Sequence, residues 1–427
     1  MSTLIRRHLF LFPAFALALA TATQAAAAKG PFILVDAESG KVIAQHEPGR
    51  QWYPASITKL MTVYVTFRAI RAGRVTFDTP LTVSANALAQ PPSKMGFGVG
   101  VQITIDNALK ILMVKSANDI AVVLAEGVGG SVPAFVAEMN KMADELGMNG
   151  TQYRNPHGLP DDQQVTTARD MALLARALMR EFPEHELLFR IPAIRVGKRI
   201  LRNHNRLIDR YPGADGMKTG FICSGGYNVV ATAKRGDKHL IVVVLGSHSS
   251  SERTEDAARL FEAGFGGPLS LASLFTAKPA LEKVENVAVG PVDLRDQICN
   301  RKRRRPAAEA DDEEDPEATD PESGLAVIRA GSKQSFLIDL PPSMPPIRVF
   351  VGTASKPNYE PVMPAASRKA KRTKAKAKKK VKSDTKAKSA AKEKAAAKSK
   401  AESKTKDAPK VKDAAKTKAA AKKKSKQ

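Results

Sequence analysis

GGYNVVATAKRGDKHLIVVVLG, residues 225–246, holds two apolar runs separated by a charged turn at Arg235–Lys238. Val-rich runs of this length, bounded by turn residues, read as two strands of a hairpin. Upstream the apolar period is that of helices. Ser56–Ala72 spaces Leu60, Val63, Tyr64, Phe67 and Ile70 along one face and closes at Gly73. Ile105–Val114, Asn118–Glu126, Pro133–Leu146 and Thr167–Arg180 read as further helices, and Ser251–Phe265 as a closing one. At the other end GPFILVDAESGKVIAQHEPG, residues 30–49, is a second hairpin, turning at Glu38-Ser39-Gly40. Strands at both ends with helices between them predict an α/β (α+β) architecture: one antiparallel sheet built from both chain ends, with a helical insertion.

The 427 residues carry a formal net charge of +25, distributed unevenly. From Ser367 to Gln427 there are 26 Lys or Arg against 5 Asp or Glu, so this stretch holds +21 of the charge. The remainder, with 42 basic and 38 acidic residues, is close to neutral and ordinary for a soluble body. The Lys/Ala/Ser repetition of 366–427 has no apolar face and reads as a disordered tail when free, with no amphipathic anchor. At the N-terminus, Arg6 and Arg7 precede the apolar run Leu9–Ala20 and a small-residue stretch, the pattern of a signal peptide over 1–28 cleaved near Ala28. The expected location is therefore extracytoplasmic, the periplasm or envelope. Residues 29–270 form the expected catalytic domain. Residues 271–365, with the basic block Arg301–Arg305 and the acidic run Glu309–Glu322, read as a charged linker and possible small β-rich extension. Cys223 and Cys299 are too few for a disulfide framework, and their pairing is left open. No HExxH or Cys/His cluster supports a metal site.

PASITKLM, residues 54–61, contains the first chemical signal. A serine hydroxyl needs a base within hydrogen-bond reach to act as a nucleophile, and residues three apart on a helix are neighbours, so Lys59 can serve Ser56. Enclosure would lower the lysine pKa and free its lone pair. The pattern alone is weak: the tail repeats it at Ser383–Lys386, Ser389–Lys392 and Ser403–Lys406, and a helix cap beside a solvated lysine is the plainer reading. Context changes this. Ser116-Ala117-Asn118 falls at a break between two helices, and Lys218-Thr219-Gly220 enters a strand. The three elements in this order are far more specific than any one of them.

With LVDAESGKVIAQ, PASITKLMTVYV, KSANDIAVVLAE, NPHGLPDDQQVTTARD and YPGADGMKTGF, the chain from about Gly30 to Phe265 resembles the serine-type D-alanyl-D-alanine carboxypeptidases, the low-molecular-mass penicillin-binding proteins. The resemblance implies the β-lactamase/penicillin-binding-protein-like transpeptidase fold. It implies Ser56 as nucleophile, Lys59 as general base, Ser116 as proton relay and Asn118 as a holder of the substrate peptide group. It further implies that Lys218 supplies positive potential, that Thr219 binds the substrate carboxylate, that Gly220 leaves the strand edge open, and that the N–H groups of Ser56 and Phe221 form an oxyanion hole. The partners implied are a peptidoglycan stem peptide ending in D-Ala-D-Ala and β-lactams as covalent inhibitors, with no cofactor. Anionic envelope polymers are the expected partners of 366–427; no nucleic acid is expected. A β-lactamase or D,D-endopeptidase on the same fold, and a polyanion-binding envelope protein acting through its tail, are the alternatives.

Ser84-Ala85-Asn86 also spells Ser-x-Asn but follows an extended segment and lacks the long apolar helix after Asn118. FICSGG, residues 221–226, departs from the small and hydroxyl-bearing residues expected after the third element, and Cys223 there raises a question of thiol effects. His157 reads as a loop residue satisfied by its backbone neighbours, and Asp215 as a turn residue.

Overall fold

The apolar run of residues 240–245 is continuous because both of its faces are covered. In the computed structural model it lies in β9 (Lys238–Ser247), and every residue from Leu240 to Leu245 is buried. Leu240, Val242 and Val244 pack with Ala257, Ala258 and Phe261 of α7 (Ser250–Phe265). Ile241, Val243 and Leu245 face the opposite way, into the larger core formed with the other helices. Alternation along the strand thus feeds two cores, and an antiparallel strand takes on the unbroken apolar character usual for parallel sheets.

The structure describes residues 30–266, 279–299 and 335–352, which all fall in the first of two units, Met1–Pro364 and Ala365–Gln427. The expected signal peptide, the Arg301–Arg305 and Glu309–Glu322 runs and the tail lie outside the described residues.

The main sheet is antiparallel with five strands. β1 (Phe32–Asp36) and β2 (Val42–His46) come from the N-terminal end; β7 (Ala214–Ile222), β8 (Gly226–Arg235) and β9 come from the C-terminal end. Their order is β2-β1-β9-β8-β7, with Leu34 opposite Val242 and Thr219 opposite Val229. β7 is therefore an edge strand, which leaves one side of its backbone available for another extended chain.

Between the two strand groups run α1 (Lys59–Arg71), α2 (Ala85–Ala89), α3 (Ile105–Val114), α4 (Asn118–Gly129), α5 (Val132–Glu145) and α6 (Ala168–Glu181). Short strands β3 (Pro80–Thr82) and β4 (Gln102–Thr104) pair beside them. The starts of α3, α5, α6 and α7 are fixed by Thr104, Ser131, Thr167 and Ser249, whose hydroxyls accept backbone N–H groups two or three residues into each helix. α4 is buried on all sides from Asn118 to Ala125, as its apolar circumference requires, and ends at Gly130 in the left-handed region. Among the described residues no single helix is long and apolar enough to cross a membrane.

Three features were not legible in the sequence. A hairpin of β5 (Ala193–Val196) and β6 (Arg199–Arg202) projects before β7, with β10 (Ile347–Val349) parallel to β5. The described pieces of 271–365 lie against the catalytic body: Lys41 bridges Ala280, Arg50 bridges Val287, and Gln102 bridges Gly352. Finally, Cys223 and Cys299 are joined by a disulfide, which ties the β7–β8 turn to α8 (Arg295–Ile298).

Candidate active site

Ser56 does not cap a helix. It sits in a 3-10 turn, Ala55–Thr58, that leads into α1 at Lys59, and no side-chain cap is made at either start. In a 3-10 turn residues i and i+3 eclipse, which brings the two side chains into line. Lys59 Nζ lies 2.9 Å from Ser56 Oγ, and the lysine is fully buried. Nζ also lies 2.8 Å from Asn118 Oδ1 and 2.7 Å from the His157 carbonyl oxygen.

These neighbours have a chemical implication. The two carbonyl oxygens can only accept, whereas the hydroxyl can give or take a proton. A neutral amine has two N–H groups and one lone pair. An ammonium would spend its three N–H groups on these three oxygens, whereas a neutral amine that donates to the carbonyls of Asn118 and His157 keeps its lone pair for the Ser56 hydroxyl.

Each group is positioned by a different part of the fold. Ser116 follows α3 and has φ of 57°, a left-handed conformation that costs a non-glycine residue about 1–3 kcal/mol and is common at functional sites. It is buried, and its Oγ makes no hydrogen bond among the described residues. Ala55, just before Ser56, is also left-handed, at 49°. Asn118 opens α4; its Nδ2 donates to Pro91 O at 3.1 Å and its backbone N–H to Ser93 O at 2.7 Å. One N–H of its amide group remains for a ligand. Asn228 on β8 fixes the approach to Ser56 by donating to the Tyr53 and Pro54 carbonyls at 2.9 and 3.2 Å.

β7 reaches the cavity through Phe221 and Ile222, and Lys218, Thr219 and Gly220 precede them on the strand without lining it. Lys218 is buried and donates to Thr219 O at 2.9 Å; Thr219 Oγ1 is buried and has no hydrogen-bond partner among the described residues. Gly220 is placed by contact rather than by backbone freedom. A Cβ there would lie 2.7 Å from Ser56 N and 2.9 Å from Ile57 N. The expectation that the missing side chain leaves room for a ligand thus has a companion: the strand needs glycine to reach the Ala55–Thr58 turn. Phe221 lines the cavity of about 70 Å³ that also holds Ser56, Ser116 and Asn118.

The sequence reading missed several members of this cavity. Pro92 and Ser93 form its roof, and the buried Asp119 carboxylate holds their loop by accepting the N–H groups of Met95 and Gly96. Burial raises the Asp119 pKa against the pull of those N–H donors. His204 and Gly158 also line the cavity. The acid following Asn118 was the available signal for the loop; nothing local marks His204. His157 takes the loop role expected of it, its Nδ1 accepting the Leu159 N–H at 3.1 Å. Burial, with the Lys59 charge second, pushes its pKa down to about 3, so the ring is neutral near pH 7. Its unanticipated contribution is the carbonyl beside Lys59.

Residues outside the cavity are explained structurally. Ser84 caps α2 by accepting the Ala87 N–H at 2.9 Å, and Asn86 binds Glu126. Asp215 lies at the start of β7, 2.9 Å from His239 Nε2. Cys223 is occupied by its disulfide, which removes the thiol chemistry its position suggested. Among the described residues no group of three or more His, Cys, Asp or Glu is placed to hold a metal ion.

Comparison with known proteins agrees with this arrangement. DacC, a D-alanyl-D-alanine carboxypeptidase of Escherichia coli K12, is 36% identical over 265 residues, covering 60% of this chain and 66% of the relative. DacA of Haemophilus influenzae is 33% identical over 257 residues, covering 59% and 65%. The matched part thus spans just under two thirds of either relative. Crystal structures of penicillin-binding protein 5 from Haemophilus influenzae superpose with a TM-score of 0.53 at 33% identity, over 55% of this chain and 70% of that one. DacD from Francisella tularensis gives 0.54 at 30% identity, over 56% and 70%. The profile described as D-alanyl-D-alanine carboxypeptidase matches residues 18–249, more than half of the chain and every residue that lines the cavity, and the chain belongs to that family.

Proposed function

We propose that this protein is a serine D-alanyl-D-alanine carboxypeptidase that removes the terminal D-alanine from peptidoglycan pentapeptide stems. The observation that carries the reading is the buried amine of Lys59, 2.9 Å from Ser56 Oγ and within 2.8 Å of two carbonyl oxygens that can only accept. Ser56 Oγ attacks the carbonyl carbon of the D-Ala-D-Ala bond while its proton passes to Lys59 Nζ. The developing oxyanion is met by the N–H groups of Ser56 and Phe221. Ser116, whose hydroxyl is unengaged, relays the proton to the leaving D-alanine nitrogen as the C–N bond breaks. Asn118 holds the substrate amide with its remaining N–H. Thr219 Oγ1, also unengaged, takes the terminal carboxylate in the field of Lys218. The substrate backbone lies along the free edge of β7. Water then hydrolyses the acyl-enzyme. β-Lactams follow the first half of this path and remain attached to Ser56.

The substrate polymer lies outside the cytoplasm, which accords with the signal-like start of the chain, and the basic stretch 366–427 holds the enzyme to anionic envelope polymers. Mass spectrometry of a pentapeptide incubated with the protein tests the main reading. Loss of one alanine, abolished in Ser56→Ala, is the expected result. An unchanged pentapeptide, or equal loss in the variant, rejects it.

A further inference from the structure

The charge outside the C-terminal stretch is nearly balanced, yet among the described residues one segment is strongly basic. Residues 190–210 contain seven Arg or Lys and a single acid, Asp209. This segment is the β5–β6 hairpin and its exit, and the exit carries His204 into the wall of the active-site cavity.

Strand register places the charges together. Arg195 lies opposite Arg348 of β10 on one side and Ile200 of β6 on the other; Arg202 lies opposite Ala193. Alternation puts Arg195, Arg348 and Arg202 on one face, and all three are exposed, as is Ile200. Paired residues on adjacent strands are about 5 Å apart and diagonal ones about 7–8 Å, so the three arginine Cα atoms fall within roughly 12 Å. Like charges directly opposite destabilise a sheet. Among the described residues Arg195, Arg202 and Arg348 make no ion pair, and the acid nearest in its influence is Asp209, whose pKa is lowered by Arg202 but raised more by burial. A short three-stranded sheet whose solvent face carries arginines that no described acid pairs with is suited to an anion from outside.

We propose that this arginine face is a second binding surface for the polymeric substrate, engaging carboxylates of stem peptides other than the one being cut. This rests on the functional reading above. The occupant follows from charge complementarity and continuity: Arg202 is two residues from His204, so the face runs directly up to the cavity. Guanidinium groups match carboxylates in a planar, bidentate way, and an array of stems on one glycan strand supplies several at once.

The test compares full-length protein with the Arg195→Gln/Arg202→Gln/Arg348→Gln variant on purified sacculi and on a short pentapeptide, across salt. Co-sedimentation reads binding, and D-alanine release reads turnover. The variant is expected to lose about tenfold in sedimentation affinity and in kcat/KM on sacculi at about 20 mM salt, converging with the parent near 0.5 M, where charges are screened within about 4 Å. On the short peptide, and in acylation by a penicillin, the two proteins should agree within about twofold, which also confirms that the variant is folded. Sacculi whose carboxylates have been amidated should erase the sedimentation difference. Equal behaviour on native sacculi overturns the inference, as does a difference that survives amidation. So does a variant whose only loss is binding to vesicles containing anionic phospholipid. If neither protein releases D-alanine from any substrate while the sedimentation difference remains, the functional reading fails and the binding face stands.

Discussion

Replacing Lys59 with methionine isolates the proposed base. The thioether occupies nearly the same volume, but the amine is gone from a position 2.9 Å from Ser56 Oγ. The Asn118 Oδ1 and His157 carbonyl acceptors lose a donor. Each stranded acceptor costs about 1–3 kcal/mol, partly offset because methionine is cheaper to bury than an amine. The variant should therefore remain folded, with a modestly lower Tm. Acylation is another matter. General base assistance contributes about 10²–10⁴ in rate, or about 2.7–5.4 kcal/mol of barrier, and no neighbour can replace it. The imidazole of His157 points its Nδ1 at the Leu159 N–H and is kept neutral by burial. Lys59→Arg separates base from charge: a guanidinium keeps the positive field but does not deprotonate, so it should fall as far as methionine. The assay is stopped-flow or intact-mass measurement of the acylation rate with a penicillin at pH 7, with thermal melts as the folding control. If either variant acylates within about tenfold of the parent, proton transfer to Lys59 is not part of the mechanism.

Gly220→Ala puts a Cβ 2.7 Å from Ser56 N and 3.1 Å from Pro54 O, backbone atoms that cannot swing aside; β7 must retreat from the nucleophile turn, and acylation should drop at least about 10²-fold in protein that still folds. Cys223→Ser/Cys299→Ser opens a link between residues 76 apart, for which loop-closure entropy predicts about 4–5 kcal/mol of lost stability and a Tm lower by about 10 °C or more; an unchanged Tm would mean the segment is held by packing alone. Asp119→Asn replaces a carboxylate that accepts from Met95, Gly96 and Ile120, so the Pro92–Ser93 roof should loosen, raising KM for peptide more than it lowers the penicillin acylation rate. His157 is held neutral down to about pH 3 although its ordinary pKa is 6.5. Between those values the unfolded chain binds one more proton, so stability should fall with decreasing pH by up to about 1.4 kcal/mol per pH unit, a slope that His157→Gln removes.

Much of this was legible before any coordinates. Helices with a clear apolar face, such as α5 with Phe135, Met139 and Met142, appeared within a residue or two of their expected ends, because one buried stripe imposes the period. The sheet of both chain ends followed from the change of period at residue 226. The β5–β6 hairpin escaped notice because its strands are four residues each and carry arginines on their outer face, so no apolar alternation stands out. The 3-10 turn at Ala55–Thr58 was also hidden, since it differs from an α-helical start by hydrogen-bond geometry and not by composition.

The order of Ser56, Lys59, Ser116, Asn118 and Lys218-Thr219-Gly220 belongs to the sequence, and with it the family. Their convergence does not. Ser56 and Asn118 are separated by 62 residues, and Ser56 and Gly220 by 164, so only the stacking of α1, α4 and the β7 edge could bring the first two to one cavity and the third against the Ser56 backbone N–H. The carbonyl of His157 beside Lys59, the glycine contact at 220, the disulfide and the arginine face are likewise tertiary facts. Backbone carbonyls, close approaches and cross-strand neighbours depend on where distant segments meet, and the identity of a residue carries no record of that.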